Sequence, residues 1–170
     1  MSKKTTGTAR MIPIALTALS VAIAFIAVPA FAQADQLADL LAKTDLVYDT
    51  LDENLYLLPF ETEDEDTINV LVTYSNEEKQ FLLIFTTVLD YEDYHGYKSE
   101  TLAAALRISN DHQAIKMCLD IENGDIDCQV EPYLRILDAD ALDMYINLVV
   151  GIAAQYQEEL SNLEEGLPVG

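Results

Sequence analysis

The sequence predicts an α+β domain built on an antiparallel sheet of about five strands, with elements in the order α-β-β-β-α-β-β-α. Three features carry that prediction. From Thr67 to Tyr74 the apolar residues Ile68, Val70, Val72 and Tyr74 alternate with mostly polar neighbours, the period of a half-buried strand. Asn123-Gly124 sits between two strand-like runs and is a strong short signal for a hairpin. Leu142, Tyr145, Ile146, Val149, Ala153, Tyr156 and Leu160 recur at three and four residues, as on one side of a long helix. A chain of 170 residues without internal repeats suits one domain and a processing segment.

The N-terminus reads as that segment. Lys3, Lys4 and Arg10 precede an uncharged run from Met11 to Phe31, and Ala30-Phe31-Ala32 supplies a small-x-small cleavage pattern. Residues 1–32 are therefore expected to be a signal peptide, residues 33–163 the domain and residues 164–170 a flexible tail. Cleavage is expected after Ala32, with Ala34 as the second choice, placing the product in the periplasm or outside the cell. An uncleaved membrane anchor is the rival, because about 20 apolar residues can span a bilayer. Pro13, Thr17, Ser20 and Pro29 interrupt the run and weigh against it.

Within the domain, Leu37, Leu40 and Leu41 predict a short helix over 34–43, with Asp35 placed to cap or charge its first turn. Strands follow over 48–60, 67–74 and 79–89. Phe81 to Phe85 is apolar without alternation, which predicts a central strand covered on both faces. Acidic and turn-forming residues at 61–66 and 75–78 separate the strands. Ser99 is placed to cap a second helix whose Leu102, Ala105, Leu106 and Ser109 share one side. A hairpin over 114–134 and a helix over about 140–163 complete the order. Gly151 weakens that helix by up to about 1 kcal/mol relative to Ala and predicts close packing on the sheet.

The hairpin also decides what Cys118 and Cys128 can do. A two-residue type I′ turn at Asn123-Gly124 pairs Ile121 with Ile126, Leu119 with Cys128 and Met117 with Val130, making one face apolar. Cys118 then points to the opposite face from Cys128, and the two sulfurs cannot bond. A three-residue loop would set the cysteines across from each other but would oppose Ile121 to Asp125 and Leu119 to Asp127. Patterning favours the first register and no internal disulfide.

Residues 33–170 carry six Lys and Arg against thirty Asp and Glu, a net charge of −24. Such a surface repels phosphate backbones and anionic head groups, which excludes nucleic acid and anionic membrane surfaces as partners of the domain. The acidity suits either solvation in salty surroundings or a cationic protein partner.

The element order, Leu57-Leu58-Pro59-Phe60, the Phe81 to Phe85 strand, the Asn123-Gly124 hairpin and the long closing helix together resemble the YbjN-like family, whose fold is similar to that of type III secretion chaperones. The resemblance covers about residues 35–163. It implies a non-enzymatic binding or regulatory module that holds a protein or peptide, alone or as a homodimer, with no catalytic residue and no cofactor. The export signal departs from the family, many of whose members lack one.

Several clusters invite chemistry. Glu92, Asp93 and His95 in one loop have ligand types for a divalent metal, which would suit a metal-assisted hydrolase. Three ligand types in a solvated loop are a weak signal, and no metal site is assigned. Asp120, Glu122, Asp125, Asp127 and Glu131 imitate a calcium loop, but Gly124 stands fifth where such loops need a sixth-position glycine. Cys118 or Cys128 with His95 or His112 would be needed for nucleophilic catalysis. Tyr91, Tyr94 and Tyr97 recur every three residues before the second helix and form the best sequence candidate for an interaction surface.

Overall fold

The computed structural model describes residues 36–62, 66–90 and 96–168. The expected signal segment and the loop at 91–95 lie outside these residues. Among the described residues no helix is long and apolar enough to cross a membrane.

The elements run α1 (Gln36–Leu41), β1 (Asp49–Asp52), β2 (Leu55–Glu61), β3 (Thr67–Tyr74), β4 (Leu82–Leu89), α2 (Ser99–Asp111), β5 (Lys116–Leu119), β6 (Ile126–Val130) and α3 (Ala139–Glu165), with a 3-10 turn at Leu134–Ile136. The α+β class and the order of helices and strands match the expectation. The sheet has six strands because the stretch expected as one strand over 48–60 folds back on itself at Glu53 and Asn54, where Glu53 N–H donates to Asp52 Oδ1 at 2.7 Å. All pairings are antiparallel, and the spatial order is β1-β2-β3-β4-β6-β5.

One face of this sheet is closed by helices. Tyr56 and Leu58, Val70 and Val72, Leu82 and Ile84, and Ile126 and Cys128 all point into a core shared with Leu37 and Leu41 of α1, and with Leu142, Ile146, Val149 and Leu160 of α3. At 1.5 Å per residue the 27 residues of α3 reach about 40 Å, enough to cross several strands. Both its ends are fixed by local chemistry. Asp138 Oδ1 accepts from Ala141 N–H at 2.8 Å at the start. At the end Gly166 adopts φ 79°, which a glycine tolerates without strain, and Leu167 N–H closes on Asn162 O. Gly151 faces solvent with nothing within 4 Å of where a Cβ would stand, so the expected close approach to the sheet does not occur. Val149, Ile152 and Ala153 make that contact instead.

Two further expectations are corrected. The buried face of α2 is Thr101, Ala104, Ala105 and Ile108, while Leu106 is 70% exposed. Small residues win because α2 lies beside α3, where Thr101 Oγ1 donates to Glu164 Oε2 at 2.7 Å. Ser99 does not cap this helix. Lys98 N–H donates to Glu164 Oε2 at 3.1 Å, so a carboxylate from α3 sits at the positive end of α2.

The β5–β6 hairpin takes neither expected register. Leu119 pairs with Ile126, Cys118 with Asp127 and Met117 with Cys128, leaving a four-residue loop with Ile121 88% exposed. Side-chain bonds explain the longer loop. Asp120 Oδ1 accepts from Glu122 N–H at 2.8 Å and Asn123 Oδ1 from Asp125 N–H at 3.0 Å, and Gly124 alone takes positive φ, 90°. The register is displaced by two residues from the type I′ expectation, so every side chain keeps its face. Cys118 and Cys128 therefore lie on opposite sides of the sheet, and both thiols are free.

A bare apolar rung across the sheet

The second face of the sheet carries no described helix. The expectation that β4 is covered on both sides fails here: Leu82, Ile84, Thr86 and Val88 are buried in the core, whereas Leu83 and Phe85 are only half-buried. Following the registers across the sheet places Asp49, Leu57, Leu71, Phe85, Gln129 and Lys116 on one continuous rung. Its centre is three apolar side chains wide, with Leu83 beside it on β4, and its two ends are charged. Because neighbouring strands stand about 4.8 Å apart, Leu57 to Phe85 forms a patch about 10 Å across that water still reaches.

Beside this rung Thr87 pairs with Asp127, which pairs with Cys118. Thr87 Oγ1 donates to Asp127 Oδ1 at 2.9 Å. Burial pushes the Asp127 carboxyl above its ordinary range; the Thr87 bond counteracts part of this, and repulsion from Asp125 and Asp120 adds to it. The Cys118 thiol is likewise raised by burial, with Lys116 opposing and Glu131 and Asp127 reinforcing. In the core, burial pushes Cys128 up to about 12, and its Sγ lies 3.8 Å from the Val149 carbonyl.

The β3–β4 pairing ends at Leu71 and Phe85, although both strands continue. Thr67 to Val70 stays paired with β2, and Thr86 to Leu89 with β6, so the sheet divides between its middle strands. A cleft of about 290 Å³ fills the division, with Asn69 and Leu71 on one wall, Thr86 and Thr87 on the other, and Ala153 and Gln157 of α3 as its floor.

Of the tyrosines singled out in the sequence, Tyr97 is described. It is half-buried against the core, and its Oη donates to Gly124 O at 2.6 Å, tying the β5–β6 loop to the start of α2. Tyr91 and Tyr94 lie outside the described residues, as do Glu92, Asp93 and His95. Cys128 and His112 have different partners: His112 Nε2 is 3.0 Å from Tyr156 Oη, whereas Cys128 Sγ lies against the Val149 carbonyl. Among the described residues no group of three His, Cys, Asp or Glu converges as a metal site. The apolar rung was missed because Leu57, Leu71 and Phe85 each looked local. The available signal was that Leu71 stands at the mostly polar parity of β3, between two runs without alternation, Leu57-Leu58 on β2 and Phe81 to Phe85 on β4.

No family model and no curated protein matches this chain. Among solved structures it is similar to a chain of the ExsC–ExsE complex, with 13% identity and a TM-score of 0.52 over 74% of this chain and 90% of that one. It is also similar to a chain of the HopA1–SchA chaperone–effector complex, with 15% identity and a TM-score of 0.47 over 73% and 89%. A third is a chain of the heterodimeric ExoU–SpcU complex from the type III secretion system of Pseudomonas aeruginosa, with 14% identity and a TM-score of 0.49 over 75% and 97%. At 13% identity the first likeness is one of fold. The domain shares its α+β fold with that chain, in agreement with the class read from the element order.

Proposed function

We propose that this chain is an exported, non-enzymatic module that holds a segment of another protein on the bare face of its sheet. The observation that carries the reading is the Leu57–Leu71–Phe85 rung, an apolar strip with no core duty that crosses the middle of an otherwise acidic molecule. A fold neighbour was solved as the ExsC–ExsE complex, which supports a protein partner in this architecture. Membership of the YbjN-like family is part of the same proposal and rests on the sequence resemblance.

A single substitution tests the holding face. Phe85→Glu places a charge at the β4 end of the strip without entering the core. Binding of fluorescein-labelled twelve-residue peptides rich in Val, Ile and Phe, followed by anisotropy, is expected to weaken at least about ten-fold while the far-UV circular dichroism is unchanged. Equal binding by both proteins, or none by either, would count against the reading. Export is tested by N-terminal sequencing of the protein recovered from the host. A start at Gln33 or Asp35 is expected, and retention of Ser2 or Met1 would overturn it.

A further inference from the structure

We infer that the division between β3 and β4 is a strand-acceptor slot for a short extended segment carrying both basic and apolar side chains, an inference that rests on the holding function proposed above. The slot is defined by backbone and not only by surface character. Four residues of β3, Thr67 to Val70, and four of β4, Thr86 to Leu89, run past their last mutual pair at Leu71 and Phe85. Each stretch is paired on its outer side only, with β2 and β6 respectively, so two inward backbone edges face the cleft. An incoming chain of about four residues satisfies such an edge by antiparallel or parallel pairing.

Side chains on that incoming strand would alternate between two surroundings. Those facing the bare side lie beside Leu57 and Leu71, with Asp127 reached through Thr87. Those facing α3 meet Ala153 and Gln157 at the cleft floor. The charge around the slot is one-signed. Glu61 pairs with Thr67 at the open end, Asp66 precedes Thr67, Asp90 follows Leu89, and Asp127 stands across from Thr87.

None of the six Lys and Arg of residues 33–170 lines the cleft. Four of them have partners elsewhere: Lys79 with Asn54, Lys98 with Glu164, Arg107 with Glu159 and Lys116 with Glu131. The same count argues against a second copy as the occupant, because two bodies of net charge −24 repel and neither has a free run of cations to offer.

The test uses the protein as purified from expression of the full chain, with three labelled peptides: (Lys-Val)4, (Glu-Val)4 and (Lys-Gly)4. Binding is followed by anisotropy and located by hydrogen–deuterium exchange. The slot requires that (Lys-Val)4 binds at least about ten-fold more tightly than either of the others. It also requires new amide protection within residues 67–70 or 86–89. Equal binding of (Lys-Gly)4 would reduce the effect to bulk charge and overturn the inference. Protection confined to the outer strands β1 or β5 would do the same. In both of these outcomes a loss of binding on Phe85→Glu would still leave the holding face standing. Failure of all three peptides and of the apolar panel would remove both.

Discussion

At the scale of single residues, the sheet's bare side holds one carboxylate under strain. Asp127 is half-buried between Thr87 and Cys118, and burial is the largest cause of its raised pKa. The sign of the linkage follows. A carboxyl whose folded value lies above its unfolded value disfavours the native state when ionised, so the penalty is fully present at neutral pH. Stability attributable to this group recovers as pH falls through the raised value, and the difference vanishes below the ordinary value of 3.8. Asp127→Asn removes the charge and keeps an oxygen to accept from Thr87 Oγ1. The melting midpoint near neutral pH is expected to rise by roughly one to three degrees, a small effect because solvent still screens the site. At about pH 3 the two proteins should melt together. A gain of equal size at both pH values would show that packing, and not ionisation, was responsible.

At the scale of elements, what the sequence made legible was periodicity, and what it hid was decided by competition between hydrogen-bonding partners. The 3.6-residue repeat of α3 located a helix to within two residues at each end, because Leu142, Ile146, Val149 and Leu160 have one core to meet. The two-residue repeat of β3 was equally plain. The β5–β6 loop was not, because the Asp120 carboxylate accepts from Glu122 N–H while the Asn123 side chain accepts from Asp125 N–H and donates to the Asp125 carboxylate, and these bonds draw the loop out to four residues. The face assignments survived because the displacement was even-numbered. In α2 the larger apolar residues Leu102 and Leu106 suggested the inner face, yet packing beside α3 selects Ala104, Ala105 and Ile108 and leaves the leucines outside. Phe81 to Phe85 misled for a related reason. An unbroken apolar run shows that both faces of a strand avoid water, but it does not say whether the second cover is part of the same chain. The bare face was therefore written in the sequence as an anomaly of β4, while the division between β3 and β4 depends on pairings that no local pattern encodes.

At the scale of the whole molecule, thirty carboxylates and six cations in residues 33–170 set a problem that the described ion pairs do not solve. Arg107 with Asp111 and Glu159, and Lys116 with Glu131, are all substantially exposed, and such pairs contribute little. Most of the electrostatic free energy is diffuse repulsion, which salt screens over a Debye length of about 10 Å at 0.1 M. Raising sodium chloride from about 20 to about 500 mM is therefore expected to lift the melting midpoint by several degrees, since screening relieves more repulsion than it removes attraction. Binding of a basic segment depends on the same charges with the opposite sign, so affinity for (Lys-Val)4 should fall over the range in which stability rises. Parallel melts and anisotropy titrations at matched salt concentrations separate the two roles of the acidity. A midpoint that falls with salt would mean that the few ion pairs outweigh the repulsion. An affinity indifferent to salt would mean that the acidic surface serves the protein's solvation and contributes nothing to recognition.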